Sequence, residues 1–217
     1  MRIVDLSVPI DTDTQVFPGD PVPALASAST VGVDGYNVLH VAFGTHTGTH
    51  IDAPYHVRVH GARVDELPID RFVVPAVVID LRGRPRRSAI SRRDLAGTGW
   101  RSDGAAVLHT GWSRHRGTPR YFDHPFLTPG AARFLLDAGV RMIALDTPNP
   151  DPTHPVGSAP ARLPVHGLVA DAGGIVVENL TALEKIDFPD PWLSVLPIRI
   201  AGADGAPCRA VAFTILD

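Results

Sequence analysis

Eleven residues, His46-Thr47-Gly48-Thr49-His50-Ile51-Asp52-Ala53-Pro54-Tyr55-His56, constrain this chain more than any other stretch. Three imidazoles and a carboxylate recur at every second or fourth position, and His60 follows. Imidazole nitrogen with carboxylate oxygen is the ligand set of zinc and similar first-row metals. On a helix, His46 and His50 would share a face while Asp52 pointed almost the opposite way. All four polar residues have even parity, so an extended or looping backbone presents them on one side. Gly48 and Pro54 also oppose a continuous helix. The stretch therefore reads as a structured loop that wraps polar side chains around one centre. A lone His is more often a satisfied surface or core residue than a ligand, and a solvated His-rich loop is the competing reading. The crowding of His around one Asp favours a metal site. No Glu follows His46, which excludes the helical zinc-protease motif.

The rest of the chain narrows the setting. Its 217 residues suit one domain, 1–217, with a sizeable core. A formal net charge of −3 gives no electrostatic footprint for nucleic acid. The basic cluster from Arg82 to Arg93 lacks interleaved aromatics and reads as a solvated face. Cys208 is the lone cysteine, which excludes an intrachain disulfide and suits a small buried apolar position. No apolar run is long enough to span a membrane, and Met1-Arg2-Ile3-Val4-Asp5 starts no signal sequence. A cytoplasmic protein is expected.

Along the chain, strands are expected at Arg2–Ile10, Tyr36–Phe43, Val73–Leu81, Ala105–Trp112, Val140–Leu145, Ile175–Val177, Leu193–Ala201 and Cys208–Leu216. Ser91 and Asp94 suggest a capping box for a short helix. Thr128-Pro129 opens the clearest helix, which Gly139 ends. Val165–Ala172 is a second, closed by Gly173-Gly174. Strand, helix, strand in this order favours an α/β core. Phe17-Pro18-Gly19-Asp20-Pro21 is turn chemistry, and its aromatic serves as a core plug or a lid over a pocket, with the plug favoured. Asn149–Pro164 is rich in Pro and reads as an ordered loop near the site. Gly202–Pro207, with Asp204-Gly205, reads as a turn. His166, Glu178 and Asp146 are candidate additions to the metal site, since an acid ending an apolar strand needs a partner. His40, His109, His115, His124 and His154 are left structural or exposed.

The eleven residues resemble the signature of the cyclase-like metal hydrolases, which include bacterial kynurenine formamidases, isatin hydrolases and some polyketide cyclases. The similarity extends through Phe17-Pro-Gly-Asp20, Gly139–Pro148, His166 and Glu178. It implies a swivelling α/β fold (β/β/α) with a central barrel-like mixed sheet and flanking helices. It also implies one metal on His46, His50 and Asp52, and a second on a bridging Asp52 with His166 and Glu178. His56 becomes the proton donor and acceptor, and Phe17 lies against the substrate ring. The ion would be Zn²⁺, one or two per subunit, with Mn²⁺ as the alternative, and the assembly a homodimer or higher homo-oligomer. Formamidases carry Trp where this chain has Phe17, and the Asn149–Leu163 loop differs from theirs, so the substrate is less constrained than the chemistry.

A metal at an open site lowers the pKa of water to near 7. An imidazole such as His56 suits proton shuttling to a leaving amine. The expected activity is hydrolysis of a small aryl amide or formamide resembling N-formylkynurenine. The alternatives are a polyketide-type cyclase or dehydratase, an isatin-type lactam hydrolase, and a non-enzymatic metal-binding module.

Overall fold

The structure is a computed structural model that describes residues 1–154 and 163–214. Short apolar runs punctuated by Gly and Pro form strands β1 (Arg2–Asp5), β2 (Ala24–Ser29), β3 (Val38–Ala42), β4 (His50–Asp52), β5 (Val73–Asp80), β6 (Ala89–Ile90) and β7 (Ala105–His109). They continue with β8 (Phe126–Leu127), β9 (Met142–Leu145), β10 (Ile175–Glu178), β11 (Trp192–Ser194), β12 (Gly205–Pro207) and β13 (Val211–Thr214). The helices are α1 (Val31–Asp34), α2 (Arg92–Leu95), α3 (Pro129–Asp137) and α4 (Pro164–Asp171).

Nine strands form one curled mixed sheet in the order β1-β13-β11-β5-β7-β9-β10-β4-β12. Its centre, β5-β7-β9-β10, is parallel, and α3 and α4 provide the crossovers β7-α3-β9 and β9-α4-β10. The remaining pairings are antiparallel. This is the mixed α/β architecture expected, a barrel-like sheet with flanking helices.

Strand alternation sorts the side chains into two cores. Val74, Ala76, Val107, Ala144, Ile51, Val177 and Leu193 fill the inner one. Ala106, Leu108, Ile143, Leu145 and Val176 meet α3 and α4 in the outer one, through Ala131, Ala132, Leu135, Val165 and Val169. Burial on both faces is the reason β9 is apolar throughout and β7 is apolar up to His109. The Thr128 hydroxyl accepts from the Ala131 amide at 3.2 Å, with Pro129 in the first turn of α3. Such a cap contributes about 1 kcal/mol. Ser91 and Asp94 form the expected capping box of α2. The arginines from Arg82 to Arg87 pair with Asp80, Asp94 and Asp123 on the surface. Cys208 packs against the inner core, and burial pushes its thiol up to about 12.

Three expectations change. β3 forms, but in an exposed two-stranded hairpin with β2, whose Ala-Leu-Ala-Ser-Ala-Ser sequence has little strand signal. Of Leu193–Ala201 only Leu193 and Ser194 are strand: the Val195 amide still meets the Phe72 carbonyl in register with β5, but the Ile198 amide turns instead to the Pro207 carbonyl. Gly202–Pro207 turns and then extends: Gly205–Pro207 is β12, the edge strand beside β4. Residues 155–162 of the Asn149–Leu163 loop, and 215 and 216 of the Cys208–Leu216 strand, lie outside the described residues. Among the described residues no helix is long and apolar enough to cross a membrane.

Candidate metal and catalytic site

The motif is not a single loop. His50 and Asp52 occupy the three-residue strand β4, where Ile51 enters the inner core and its two neighbours face the other side. The even-numbered side chains do share one side, but the backbone that presents them is a sheet strand with a turn at each end. β10 runs antiparallel beside β4 and sets Glu178 directly opposite His50. α4 brings His166 to the same face. His46 lies in the turn before β4, and His56 ends the 3-10 turn Pro54–His56 after it. Gly48 has a φ of +66°, and a Cβ there would lie 3.0 Å from Ile10, so the return between His46 and His50 requires glycine.

The two oxygens of Asp52 face different histidines. Oδ1 lies 2.7 Å from His46 Nδ1 and 3.3 Å from His50 Nε2, while Oδ2 lies 3.2 Å from His166 Nε2. Glu178 is divided likewise, with Oε2 at 3.4 Å from His50 Nε2 and Oε1 at 3.3 Å from His166 Nε2. His50, Asp52, His166 and Glu178 are all buried, and His46 and His56 are partly so. All six residues proposed from the sequence therefore converge.

Two carboxylates that the sequence reading passed over hold the far sides of the rings. Asp151 accepts from His166 Nδ1 at 2.8 Å and from the amides of Val165 and His166 at 2.8 and 3.0 Å. It thus caps α4 from upstream while aiming Nε2 of His166 at Asp52, an arrangement common behind metal-bound imidazoles. Asp204, just before β12, accepts from His46 Nε2 at 2.9 Å and from His56 Nδ1 at 3.4 Å. Lone Asp residues in Pro- and Gly-rich segments read as turn formers; the usable signal was that ligand histidines need outer partners. Asp146, the third sequence candidate, serves elsewhere: it accepts from the Thr110 hydroxyl and from the amides of Thr110, Gly111 and Trp112. His60 and His154 are exposed.

Burial and charge oppose each other here. Burial pulls His46 down, but Asp52 and Asp204 outweigh it and raise the ring to about 10. Burial likewise opposes Asp52 and Glu178 at His50, which ends at about 9. His166 lies well above its ordinary value, as Asp151, Asp52 and Glu178 overcome its burial. Burial pushes Asp52 up, yet the three histidines hold its carboxyl well below the usual range.

The donor set suits a divalent metal. His50 Nδ1 pairs with the Gly48 carbonyl at 2.9 Å, and its buried Nε2 has no hydrogen-bond partner among the described residues. With Nδ1 donating to Gly48, Nε2 faces two carboxylates, and either a proton or a metal ion at that nitrogen makes the arrangement favourable. His50, Asp52 and Glu178 form one group of ligand atoms close enough for an ion, and His46, Asp52 and His56 form another.

A cavity of about 390 Å³ opens onto this centre. Phe17 lines its wall and stands edge-on to Phe122, ring centroids 6.0 Å apart. Phe17 is thus a pocket residue and not the favoured core plug, because the Gln15 amide ties its loop to residues 117 and 118 and away from the core. Asn149, Pro148 and Leu163 also line the cavity, so the described ends of that loop do border the site.

Fold and centre together define an α/β protein with a His–carboxylate cradle of the metal-binding kind. The family described as putative cyclase matches residues 4–152. Kynurenine formamidase of Geobacillus thermodenitrificans is 32% identical over 212 residues, 95% of each chain. That of Salinibacter ruber is 31% identical over 217 residues, 97% of each chain. Isatin hydrolase A from Labrenzia aggregata, solved bound to benzyl benzoate, has a TM-score of 0.86 and 26% identity, covering 97% of this chain and 93% of that one. The chain belongs to the cyclase family of metal hydrolases, alongside the kynurenine formamidases.

Proposed function

We propose that this protein is a metal-dependent hydrolase of a small aryl amide or formamide. The observation that carries the reading is the buried, cation-demanding meeting of His50 Nε2, Asp52, His166 and Glu178 at the floor of an aromatic-walled cavity. Its relatives named as kynurenine formamidases support an N-formylkynurenine-like substrate. The isatin hydrolase neighbour supports a cyclic aryl amide as the second reading.

In this proposal His46, His50, Asp52, His166 and Glu178 hold one or two divalent ions, Zn²⁺ before Mn²⁺. When bound, such an ion supplies an acidified water and polarises a carbonyl. Asp52 and Glu178 each offer one oxygen to the His50 side and one to the His166 side, which suits bridging. Phe17 and Phe122 seat the aromatic ring and exclude water from it. His56 takes a proton from the attacking water and returns it to the leaving nitrogen, so that the amide yields a carboxylate and an arylamine. The partner is a small aromatic molecule and, for the chain itself, a second copy: the exposed β2–β3 hairpin supports a homodimer. The reading is completed by a single domain in a cytoplasmic setting.

Replacing the acid/base should separate chemistry from metal binding. His56→Ala is expected to lower kcat on an aryl formamide by about 10²–10⁴-fold with metal content retained. Full activity in that variant, measured by arylamine release, would remove His56 from the mechanism.

A further inference from the structure

The histidines credited with ligation and proton transfer share a partner about 150 residues away in the chain. Asp204 Oδ1 accepts from the Thr45 hydroxyl at 2.9 Å, which fixes the carboxylate plane. Oδ2 then accepts from His46 Nε2 at 2.9 Å and, more loosely, from His56 Nδ1 at 3.4 Å. The backbone is pinned too, since the Asp204 carbonyl accepts from the Ala53 amide at 2.9 Å, inside the motif. The two imidazoles lie against each other, ring centroids 4.2 Å apart. The carboxylate is therefore the common acceptor of two adjoining rings, tilted 46° to each other.

The next residue shapes the same seat by being small. A Cβ on Gly205 would lie 2.7 Å from His46 Cε1 and 2.7 Å from the Ile51 carbonyl oxygen. Neither can yield easily, because Ile51 is fully buried in β4 and Gly205 pairs with Asp52 in the sheet register. The His46 ring thus rests on the backbone of Gly205 while Asp204 grips its far nitrogen.

We infer that Asp204, with Gly205 beneath it, is a positioning residue of this site: it seats His46 and His56 as one unit. The consequence is a defined role for each ring nitrogen. With Nε2 of His46 donating to Asp204, Nδ1 is the nitrogen offered toward Asp52. With Nδ1 of His56 donating to Asp204, Nε2 is left for the proton it exchanges. The second statement rests on the proposed hydrolase reading. The seating itself does not.

The test compares Asp204→Asn and Gly205→Ala with the unaltered protein. Asn keeps the shape and loses the charge; Ala keeps Asp204 and displaces the His46 ring. Zinc affinity by chelator competition is expected to fall about 10–100-fold in each, the usual cost of losing an outer partner of a ligand His. At saturating zinc, kcat on an aryl formamide should fall at least tenfold with KM within about twofold. Long-range proton–nitrogen NMR of the imidazoles should show the His46 and His56 signals moving together in Asp204→Asn, with other histidines unmoved. Unchanged zinc affinity together with unshifted imidazole signals would overturn the inference. If the unaltered protein neither binds zinc nor hydrolyses amides, the proposed function fails, and the NMR comparison still decides whether Asp204 seats the two rings.

Discussion

Two stretches separated by only a few residues invert the ordinary partition of side chains in opposite ways. In β2–β3 and the turn between them, apolar residues face water: every residue from 31 to 42 is exposed, with Val33 at 87% and Leu39 at 57%. From Thr47 to Asp52 polar residues are buried, with His50 at 2% and Asp52 at 4%. Exposed apolar area and buried charge each signal a missing complement, but of different kinds. A two-stranded hairpin open on both faces is marginal in water and calls for an apolar surface. A cluster of carboxylates around unpaired imidazole nitrogen calls for a cation. The first complement is large and tolerant of detail. The second is small and depends on each ligand atom.

Breaking the second should therefore cost most. Asp52→Asn removes the carboxylate that faces both His46 and His166, and should abolish metal retention and lower kcat/KM by at least about 10³-fold. A variant that keeps its metal content by elemental analysis would show that Asp52 does not bridge. On the hairpin, Leu39→Asp with Val41→Asp is expected to turn the proposed homodimer into a monomer, read by light scattering. Burying such side chains contributes about 1.5–3 kcal/mol each, and a twofold interface counts each change twice. If the comparison holds, that monomer still takes up metal. Asp151→Asn leaves the proposed ligands in place but removes the charge that holds the far nitrogen of His166 and the first amides of α4, so metal affinity should drop about 10–100-fold.

The smallest expected effect is on pH. His46 and His50 lie above their ordinary 6.5, at about 10 and about 9. Stability that depends on their protonation is complete below pH 6.5 and is lost as pH rises through about 9 to 10. Metal takes the place of those protons. The Tm of chelator-treated protein should thus fall between pH 7 and 10, while metal-loaded protein should hold steady; parallel profiles would count against the His46 and His50 assignments.

Local chemistry explains which parts of this were readable beforehand. α3 announces itself because its cap, its first-turn Pro and its terminating Gly139 are all local signals. The convergence of His46, His50, Asp52, His56, His166 and Glu178 was accessible through parity and through resemblance. β12 was not, since Asp204-Gly205 is the usual grammar of a turn and only pairing with β4 makes it a strand. Asp151 and Asp204 act through contacts 15 and 158 residues apart, which no local pattern encodes. The exposure of β3 was hidden for a related reason: Val38 and Val41 fit a buried strand as well as an exposed one, and the choice depends on what packs there.

The position of β12 also bears on the order in which the molecule can be made. β4 is flanked by β10 and β12, and the sheet's far edge pairs Arg2 with Thr214. The cradle therefore draws on residues from His46 to Asp204, and its outer wall is synthesised well after the His46–His56 stretch. A nascent chain bearing the His46–His56 stretch would expose loose imidazoles with neither Glu178 nor Asp204 in place. Such long-range closure folds slowly. In the proposed site, ion selection thus waits until β10 and β12 have joined β4, so the competition between metals is decided by a folded pocket and not by a free peptide.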